Sequence, residues 1–135
     1  MLWSIDRLVI DRWSGVLCTE DEVQAPTMGD SLRAIAALNS KTHTMVFLFG
    51  SDNSYLCVGG GAGQYVAYVS VSGEKFLNLL QDGDGREGKV LINAGGQEGD
   101  FPARQVVDAP RVLRATRTFF ETGALDLSLR WEEQV

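Results

Sequence analysis

Histidine is nearly absent from this 135-residue sequence, in which His43 supplies the single imidazole. Nucleophilic catalysis by serine or cysteine ordinarily needs a histidine as its general base. His43 stands beside a turn at the start of an apolar segment, and this position favours a structural or exposed role. The sequence therefore contains no Ser-His-Asp or Cys-His site and does not predict an enzyme.

Cysteine is also scarce, with Cys18 and Cys57 as the two thiols. One pair is too few for the disulfide framework of a small secreted domain, so two reduced, buried thiols are favoured over a disulfide. Metal sites draw on several His, Cys or carboxylate ligands at fixed spacing, and neither cysteine belongs to a Cys-x-x-Cys pair. We therefore predict neither a metal nor another cofactor.

Two glycine-rich segments lack the residues that would make them ligand-binding loops. Gly59–Gly63 is followed by Gln64 and Tyr65, whereas a phosphate loop needs Lys-Ser or Lys-Thr at that point. Residues 82–87 weakly resemble a calcium loop, but Arg86 occupies the place of an oxygen ligand. Both segments are predicted to be turns.

Long apolar runs are missing as well. No stretch approaches the length of a membrane span, and residues 1–7 lack the basic and apolar regions of a signal peptide. The sequence thus predicts a protein that has no membrane partner and stays in the cytoplasm.

Acidic residues outnumber basic ones, since 18 Asp and Glu oppose 12 Lys and Arg for a net charge of -6. This balance argues against binding nucleic acid, which requires clustered positive charge. It favours rapid encounter with a basic protein partner. The length fits one domain that spans residues 1–135.

Residue patterns predict α+β architecture with a single antiparallel sheet of about five to seven strands and two helices packed on one face. The first helix is expected to start at Asp30 or Ser31 and to end at Asn39. Asp108 is expected to cap the second helix, which Gly123 ends. Strands are expected within 2–18 and at 44–49, 54–58, 64–71, 89–93 and 125–131.

The connecting segments are less regular in pattern. Residues 73–80 are ambiguous between a strand and a helical turn, and residues 101–107 are expected to be extended. Acidic or glycine-rich loops are predicted at 19–22, 59–63, 81–88 and 94–100.

Carboxylates in predicted loops and tyrosines in predicted strands form the candidate partner-binding set. Acidic side chains beside glycines can adapt to a basic partner, and exposed aromatic rings can anchor the centre of an interface. For any one of these carboxylates, a solvated loop is the alternative. The set comprises Asp52, Tyr55, Tyr65, Tyr68, Asp82, Asp84, Glu87, Glu98 and Asp100.

The C-terminal third resembles the Imm1 family of immunity proteins from bacterial polymorphic toxin systems. Phe101-Pro102 stands before an expected strand, and Asp108-Ala109-Pro110 opens a helix that continues to Phe119-Phe120-Glu121-Thr122-Gly123. A closing strand with Leu129-Arg130-Trp131 follows. This motif is expected to pack the helix onto the sheet and to mark the fold. Its structural residues are Asp108, Pro110, Phe119, Phe120, Thr122, Gly123 and Trp131.

The resemblance implies a non-catalytic antitoxin that binds a cognate toxin one to one and covers its active site. Toxins paired with this family include deaminase-fold enzymes that act on nucleic-acid bases, and such enzymes need a cationic groove. The net charge fits that requirement. Two alternatives stay open, namely a ligand-binding or scaffold domain of an unrelated α+β family and a small enzyme that uses carboxylates or a tyrosine.

Overall fold

The computed structural model describes residues 3–81 and 87–134. Its strands are β1 (Ile5–Ser14), β2 (Leu17–Gln24), β3 (Met45–Gly50), β4 (Tyr55–Gly61), β5 (Gln64–Val71), β6 (Lys75–Leu80), β7 (Lys89–Ala94), β8 (Gln97–Pro102) and β9 (Arg130–Glu133). Its α-helices are α1 (Met28–Ala37) and α2 (Ala109–Thr122). Seven strands form one antiparallel sheet in the order β2-β1-β3-β4-β5-β6-β9, whereas β7 and β8 pair separately as a hairpin. The predicted α+β class and the seven strands of the main sheet are confirmed, but the strand predicted at 89–93 belongs to the separate hairpin and not to that sheet.

Both helices cover one side of the seven-stranded sheet, which we call the helix face. Successive side chains of a strand point to opposite faces, so Leu56 and Val58 of β4 lie on the same side. They are buried in one core with Ile35 of α1 and Phe119 of α2. We call the opposite side the open face. The predicted placement of both helices on one face is therefore confirmed.

Helix α1 begins earlier than predicted, because Thr27 is its N-cap and Asp30 is its third residue. The Thr27 Oγ1 accepts a hydrogen bond from the Asp30 N–H at 3.0 Å. In return, the Asp30 Oδ2 accepts from the Thr27 N–H at 2.9 Å. This reciprocal capping box explains the error, since Asp also suits an N-cap position.

Helix α2 has both predicted ends. The Asp108 Oδ1 accepts from the Arg111 N–H at 3.1 Å, and Pro110 lies in the first turn, where a missing N–H costs nothing. Gly123 ends the helix at φ 74°, a left-handed conformation that glycine adopts without strain. Phe119 is completely buried in the core.

The rest of the predicted C-terminal motif also packs as expected. Phe120 and Trp131 lie against the core, and the Trp131 Nε1–H donates to the Asp126 carbonyl at 3.0 Å. The Phe120 carbonyl accepts from the Trp3 Nε1–H at 2.9 Å. Thr122 is exposed and uses its hydroxyl to donate to the Thr118 carbonyl at 2.8 Å. The motif therefore joins α2 to its surroundings.

Strand β2 replaces the acidic loop that was predicted at residues 19–22. Three successive carboxylates argue against a strand, but arginines on the neighbouring strand β1 compensate for two of them. The Arg12 Nη2 lies 2.5 Å from the Asp21 Oδ2, and the Arg7 Nη1 lies 3.3 Å from the Glu22 Oε1. Opposite charges on neighbouring strands support pairing.

The predicted loop at residues 94–100 is also wrong, since β8 begins at Gln97. Gly95 and Gly96 form the turn at positive φ, and β7 pairs with β8 along the length of both strands. A short 3-10 helix, Ala103–Gln105, then occupies part of the segment that was predicted to be extended.

The remaining differences concern strand ends. Residues 75–80, which the sequence leaves ambiguous, form β6, and the last strand begins at Arg130 instead of Leu125. Strand β4 continues through Gly61, so the predicted turn at 59–63 is reduced to Ala62 and Gly63. Leu127 is 88% exposed in the connection before β9.

Glycine at position 59 allows the β7–β8 hairpin to approach the open face. A Cβ atom at Gly59 would lie 2.7 Å from the Cβ of Ala94, which is closer than real Cβ atoms come. The hairpin therefore covers one part of the open face and leaves the rest of it accessible.

The Asp11 carboxylate links β1, β3 and this hairpin. Asp11 is 7% exposed, and its Oδ1 accepts from the Thr44 N–H at 2.6 Å and from the Met45 N–H at 3.0 Å. Its Oδ2 accepts from the Thr44 hydroxyl and from the Trp13 Nε1–H at 2.8 Å. The Thr44 hydroxyl oxygen also accepts from the Gly96 N–H of the hairpin turn at 3.0 Å. One buried carboxylate thus orients three parts of the chain.

We expect Asp11→Ala to lower the free energy of unfolding by about 2–4 kcal/mol, because it leaves buried N–H and O–H donors without their acceptor. Urea denaturation followed by circular dichroism would measure the change. Asp21→Ala removes an exposed ion pair and should cost no more than about 1 kcal/mol. Equal losses in the two variants would contradict the role assigned to Asp11.

We expect Gly59→Ala to destabilise the protein because its methyl group would overlap with Ala94 of the hairpin. Ala94→Gly should recover part of this loss, giving a favourable coupling of at least about 0.5 kcal/mol in a double-mutant cycle. Urea denaturation of the two single variants and of the double variant would measure these free energies of unfolding. Strictly additive effects would show that the hairpin does not lie on Gly59.

Candidate functional site

A continuous row of half-buried aromatic rings crosses the uncovered part of the open face. The rings of Phe47 and Phe49 stack with their centroids 5.6 Å apart. From Phe49 the row continues to Tyr55 at 5.6 Å, to Tyr68 at 6.0 Å and to Phe76 at a further 6.0 Å. We call these five residues the aromatic stripe.

Strand alternation explains how the chain assembles the aromatic stripe. In β3, Phe47 and Phe49 point to the open face, whereas Val46 and Leu48 are buried on the helix face. The register opposes Phe49 to Tyr55 on the neighbouring strand β4. Half-buried aromatic rings combine a large apolar area with little conformational freedom, so they suit the centre of a protein interface.

Ion pairs border the aromatic stripe on two sides. The Arg7 guanidinium lies 4.1 Å from the centroid of the Phe49 ring and also pairs with Glu22 of the edge strand β2. On the other side, the Arg104 Nη2 lies 3.0 Å from the Glu132 Oε1. Hydrogen bonds from Arg104 hold the pKa of Glu132 below its usual value, so this carboxyl stays ionised.

Cys57 lies opposite Phe47 and Tyr68 in the strand register and is 2% exposed. Burial raises the pKa of its thiol to about 12, and a hydrogen bond with the Tyr68 hydroxyl offsets only part of that rise. Burial also raises the pKa of Tyr68. Both groups are therefore neutral near pH 7, and neither is prepared to act as a nucleophile or a base.

A small apolar cavity separates the hairpin from the sheet next to Tyr68. It has a volume of ≈ 80 Å³ and is bordered by Cys57, Ala67, Ala94 and Phe101, among other residues. Pockets for small organic ligands usually measure at least about 300 Å³. The cavity is better described as a packing gap at the foot of the hairpin.

The hairpin carries carboxylates on its outer side. Ile92 and Ala94 of β7 point toward the sheet, so Leu91 and Asn93 between them point away from it. The register places Asp100 and Glu98 of β8 opposite these two residues, so both carboxylates also point away from the sheet. Glu98 and Asp100 are exposed, and Leu91 beside them is 61% exposed. Because the hairpin lies over the open face, these carboxylates stand on the same side of the molecule as the aromatic stripe.

The structure brings together only part of the predicted partner-binding set. Tyr55 and Tyr68 are neighbours in the aromatic stripe, as an interface anchor requires. The prediction that Tyr65 is exposed is wrong, because it is 8% exposed and belongs to the core on the helix face. The reason is that Tyr65 shares its strand face with Ala67 and Val69, which are both buried.

The remaining carboxylates of that set belong to different segments of the chain. Asp52 is exposed in the β3–β4 turn, where its Oδ1 accepts from the Ser54 N–H at 2.9 Å. Glu87 is exposed just before β7. Asp82 and Asp84 lie outside the described residues. Partner contact by the members of this set stays a prediction.

Sequence reasoning missed Phe47, Phe49 and Phe76 as candidate site residues. The signal was present in β3, where aromatic and aliphatic residues alternate between the two faces. A nearly continuous apolar segment hides that alternation, because it also fits a strand that is buried on both sides. Whether the second side is covered depends on the position of the hairpin.

Two other kinds of site are absent from the described part of the chain. Within residues 3–81 and 87–134, no group of three or more His, Cys, Asp or Glu side chains is arranged to hold a metal ion. In the same part of the chain, no helix combines the length and apolar character needed to cross a membrane.

The prediction of two buried thiols is wrong for Cys18, which is exposed, so the two thiols should differ sharply in reactivity. At pH 8, we expect iodoacetamide to modify the exposed Cys18 and to leave Cys57 intact, because a thiol of pKa about 12 is ionised to only about one part in ten thousand. Mass spectrometry would show one modified thiol in the native protein and two in urea. In Cys18→Ser the native protein should remain unmodified, and modification of Cys57 there would contradict its burial.

The family comparison agrees with the resemblance found in the C-terminal third. A family model described as immunity protein Imm1 matches residues 6–133, which includes both α-helices and all the strands of the structure except Ile5, the first residue of β1. No curated protein and no solved structure matches the chain. The match extends over nearly the whole chain, and the protein belongs to the Imm1 family of immunity proteins.

Proposed function

We propose that this immunity protein binds its cognate toxin through the aromatic stripe and covers the active site of the toxin in a one-to-one complex. Membership of the Imm1 family implies an immunity protein with a cognate toxin partner. The observation that supports this location is the row of five half-buried rings on a sheet face that the helices and the hairpin leave uncovered.

The shape of this surface suits a protein partner better than a small molecule. The stripe is broad and lies on a sheet, while the neighbouring cavity is too small for most organic ligands. Interface centres are enriched in aromatic residues and are surrounded by polar rims. Here Arg7 with Glu22 and Arg104 with Glu132 would form such a rim.

The charge of the protein supports a basic toxin, and we propose a deaminase that acts on nucleic-acid bases. Such an enzyme holds its substrate in a positively charged groove. A net charge of -6, with Glu98 and Asp100 beside the stripe, would speed the encounter with that groove. The immunity protein would act in the cytoplasm of the producing cell and would need no catalytic group of its own.

We expect Tyr55→Ala to weaken toxin binding at least about 20-fold, because it removes a central ring of the stripe. Leu127→Ala is the matched control, since Leu127 is a large exposed apolar residue that follows α2 and lies outside the stripe. Calorimetric titration with the catalytically inactivated cognate toxin would measure both affinities. The control should stay within about twofold of the unmodified protein.

The outcomes separate the parts of the proposal. Unchanged affinity in Tyr55→Ala, with wild-type binding intact, would contradict the assignment of the stripe as the interface. If the immunity protein binds and inhibits the toxin, but the free toxin releases no ammonia from cytosine or adenine in nucleic acid, the deaminase assignment alone would be contradicted. Absence of binding by the unmodified protein would contradict the whole proposal.

A further inference from the structure

The free edge of β2 is a second surface that the proposed function leaves unassigned. β2 is the terminal strand of the seven-stranded sheet, and it pairs only with β1 among residues 3–81 and 87–134. The β1–β2 register runs without a shift from Arg7↔Gln24 to Ser14↔Leu17. The strand is therefore long and regular, and it contains no proline.

The register identifies which backbone groups point to the free edge. The Ala25 N–H donates to the Asp6 carbonyl at 2.8 Å, so odd-numbered residues of this segment bond to β1. Antiparallel strands alternate between hydrogen-bonded and non-hydrogen-bonded pairs. The N–H and C=O groups of Cys18, Glu20, Glu22 and Gln24 consequently point outward, ready to pair with another strand.

Natural proteins usually protect such an edge with prolines, bulges, short strands or covering loops. β2 has none of the first three, and every residue in it except Asp21 is exposed. Its protection consists of the acidic run Glu20-Asp21-Glu22. At the β1–β2 turn, Val16 is 92% exposed and Leu17 is 71% exposed, which adds apolar area beside the edge.

The negative charge of β2 determines which kind of strand can pair with its free edge. Antiparallel pairing with a second copy of β2 centred near Asp21 would place the acidic run opposite itself, and like charges across strands are unfavourable. A strand with Lys or Arg at alternate positions would instead place opposite charges against Glu20 and Glu22. Arg7 and Arg12 pair with Glu22 and Asp21, so the three carboxylates of the run still exceed the two cations beside them. The acidic run thus disfavours self-pairing and favours a basic strand.

On the basis of the proposed function, we infer that the toxin adds a basic β-strand to the free edge of β2 and so extends the sheet of the immunity protein. Backbone hydrogen bonds give affinity in this mode of recognition, and the side chains on the added strand give specificity. In the strand register, Glu20 lies opposite Asp11 and Glu22 lies opposite Val9, so both glutamate side chains are on the open face. A strand beside them would continue the surface that carries the aromatic stripe, so one partner could contact both.

Amide hydrogen exchange measured by NMR tests this inference directly. In the free protein, the outward amides of Glu20 and Glu22 should exchange rapidly, whereas the Asp21 amide, bonded to β1, should exchange slowly. Adding the inactivated toxin should slow exchange at Glu20 and Glu22 at least about tenfold, as expected for new backbone hydrogen bonds. Unchanged exchange at both positions in a saturated complex would overturn the inference while leaving the proposed function intact.

A pair of variants at one position provides an independent test. Glu20→Pro removes an outward N–H and keeps the pairing with β1, because proline is tolerated where the N–H of an edge strand faces solvent. Its affinity for the toxin should fall at least about tenfold, whereas Glu20→Gln, which removes only the charge, should lose about threefold or less. Equal affinities in the two variants, both folded by circular dichroism, would overturn the inference.

The remaining outcomes are also decisive. If Glu20→Pro fails to fold, the exchange measurement on the unmodified protein decides the matter. Protection of Glu20 and Glu22 that rises with protein concentration in the absence of toxin would assign the edge to a second copy and overturn the inference. Failure of the unmodified protein to bind the toxin would overturn the inference together with the proposed function on which it rests.

Discussion

The hydrogen bonds to the buried Asp11 carboxylate are the interaction on which the arrangement of this protein depends. A buried carboxylate is tolerated when donors surround it, and here Trp13, Thr44 and Met45 supply them. Thr44 in turn accepts from Gly96, which positions the turn of the β7–β8 hairpin. The same group therefore joins neighbouring strands and decides which part of the open face the hairpin covers.

The position of the hairpin accounts for the character of the surface beside it. On the helix face, aliphatic side chains meet two helices and form a closed core. On the open face, the hairpin packs against Gly59 and does not cover the aromatic stripe, which is therefore only half buried. A surface of this kind keeps apolar area in water, which is costly for a free protein and useful for one with a partner. The Imm1 family assignment supplies the reason for such a partner.

Predictions from sequence succeeded where a local signal specified a local structure. Asp108, Pro110 and Gly123 mark the ends of α2 because caps depend on a few neighbouring residues. They failed where distant residues changed the outcome. Residues 19–22 form a strand because Arg7 and Arg12 of β1 pair with Glu22 and Asp21, and Gly59–Gly61 extend β4 because Ala94 and the chain near Leu38 approach closely.

The sequence by itself determined the α+β class, the ends of α2, the acidic balance and the family resemblance, because composition, capping and short motifs are local properties. Only the tertiary structure decided which aromatic residues share a surface, that Tyr65 lies in the core while Tyr55 and Tyr68 do not, and that β2 ends the sheet. The physical reason is that exposure depends on what packs against a strand face, and strand order is set by contacts between residues far apart in the chain.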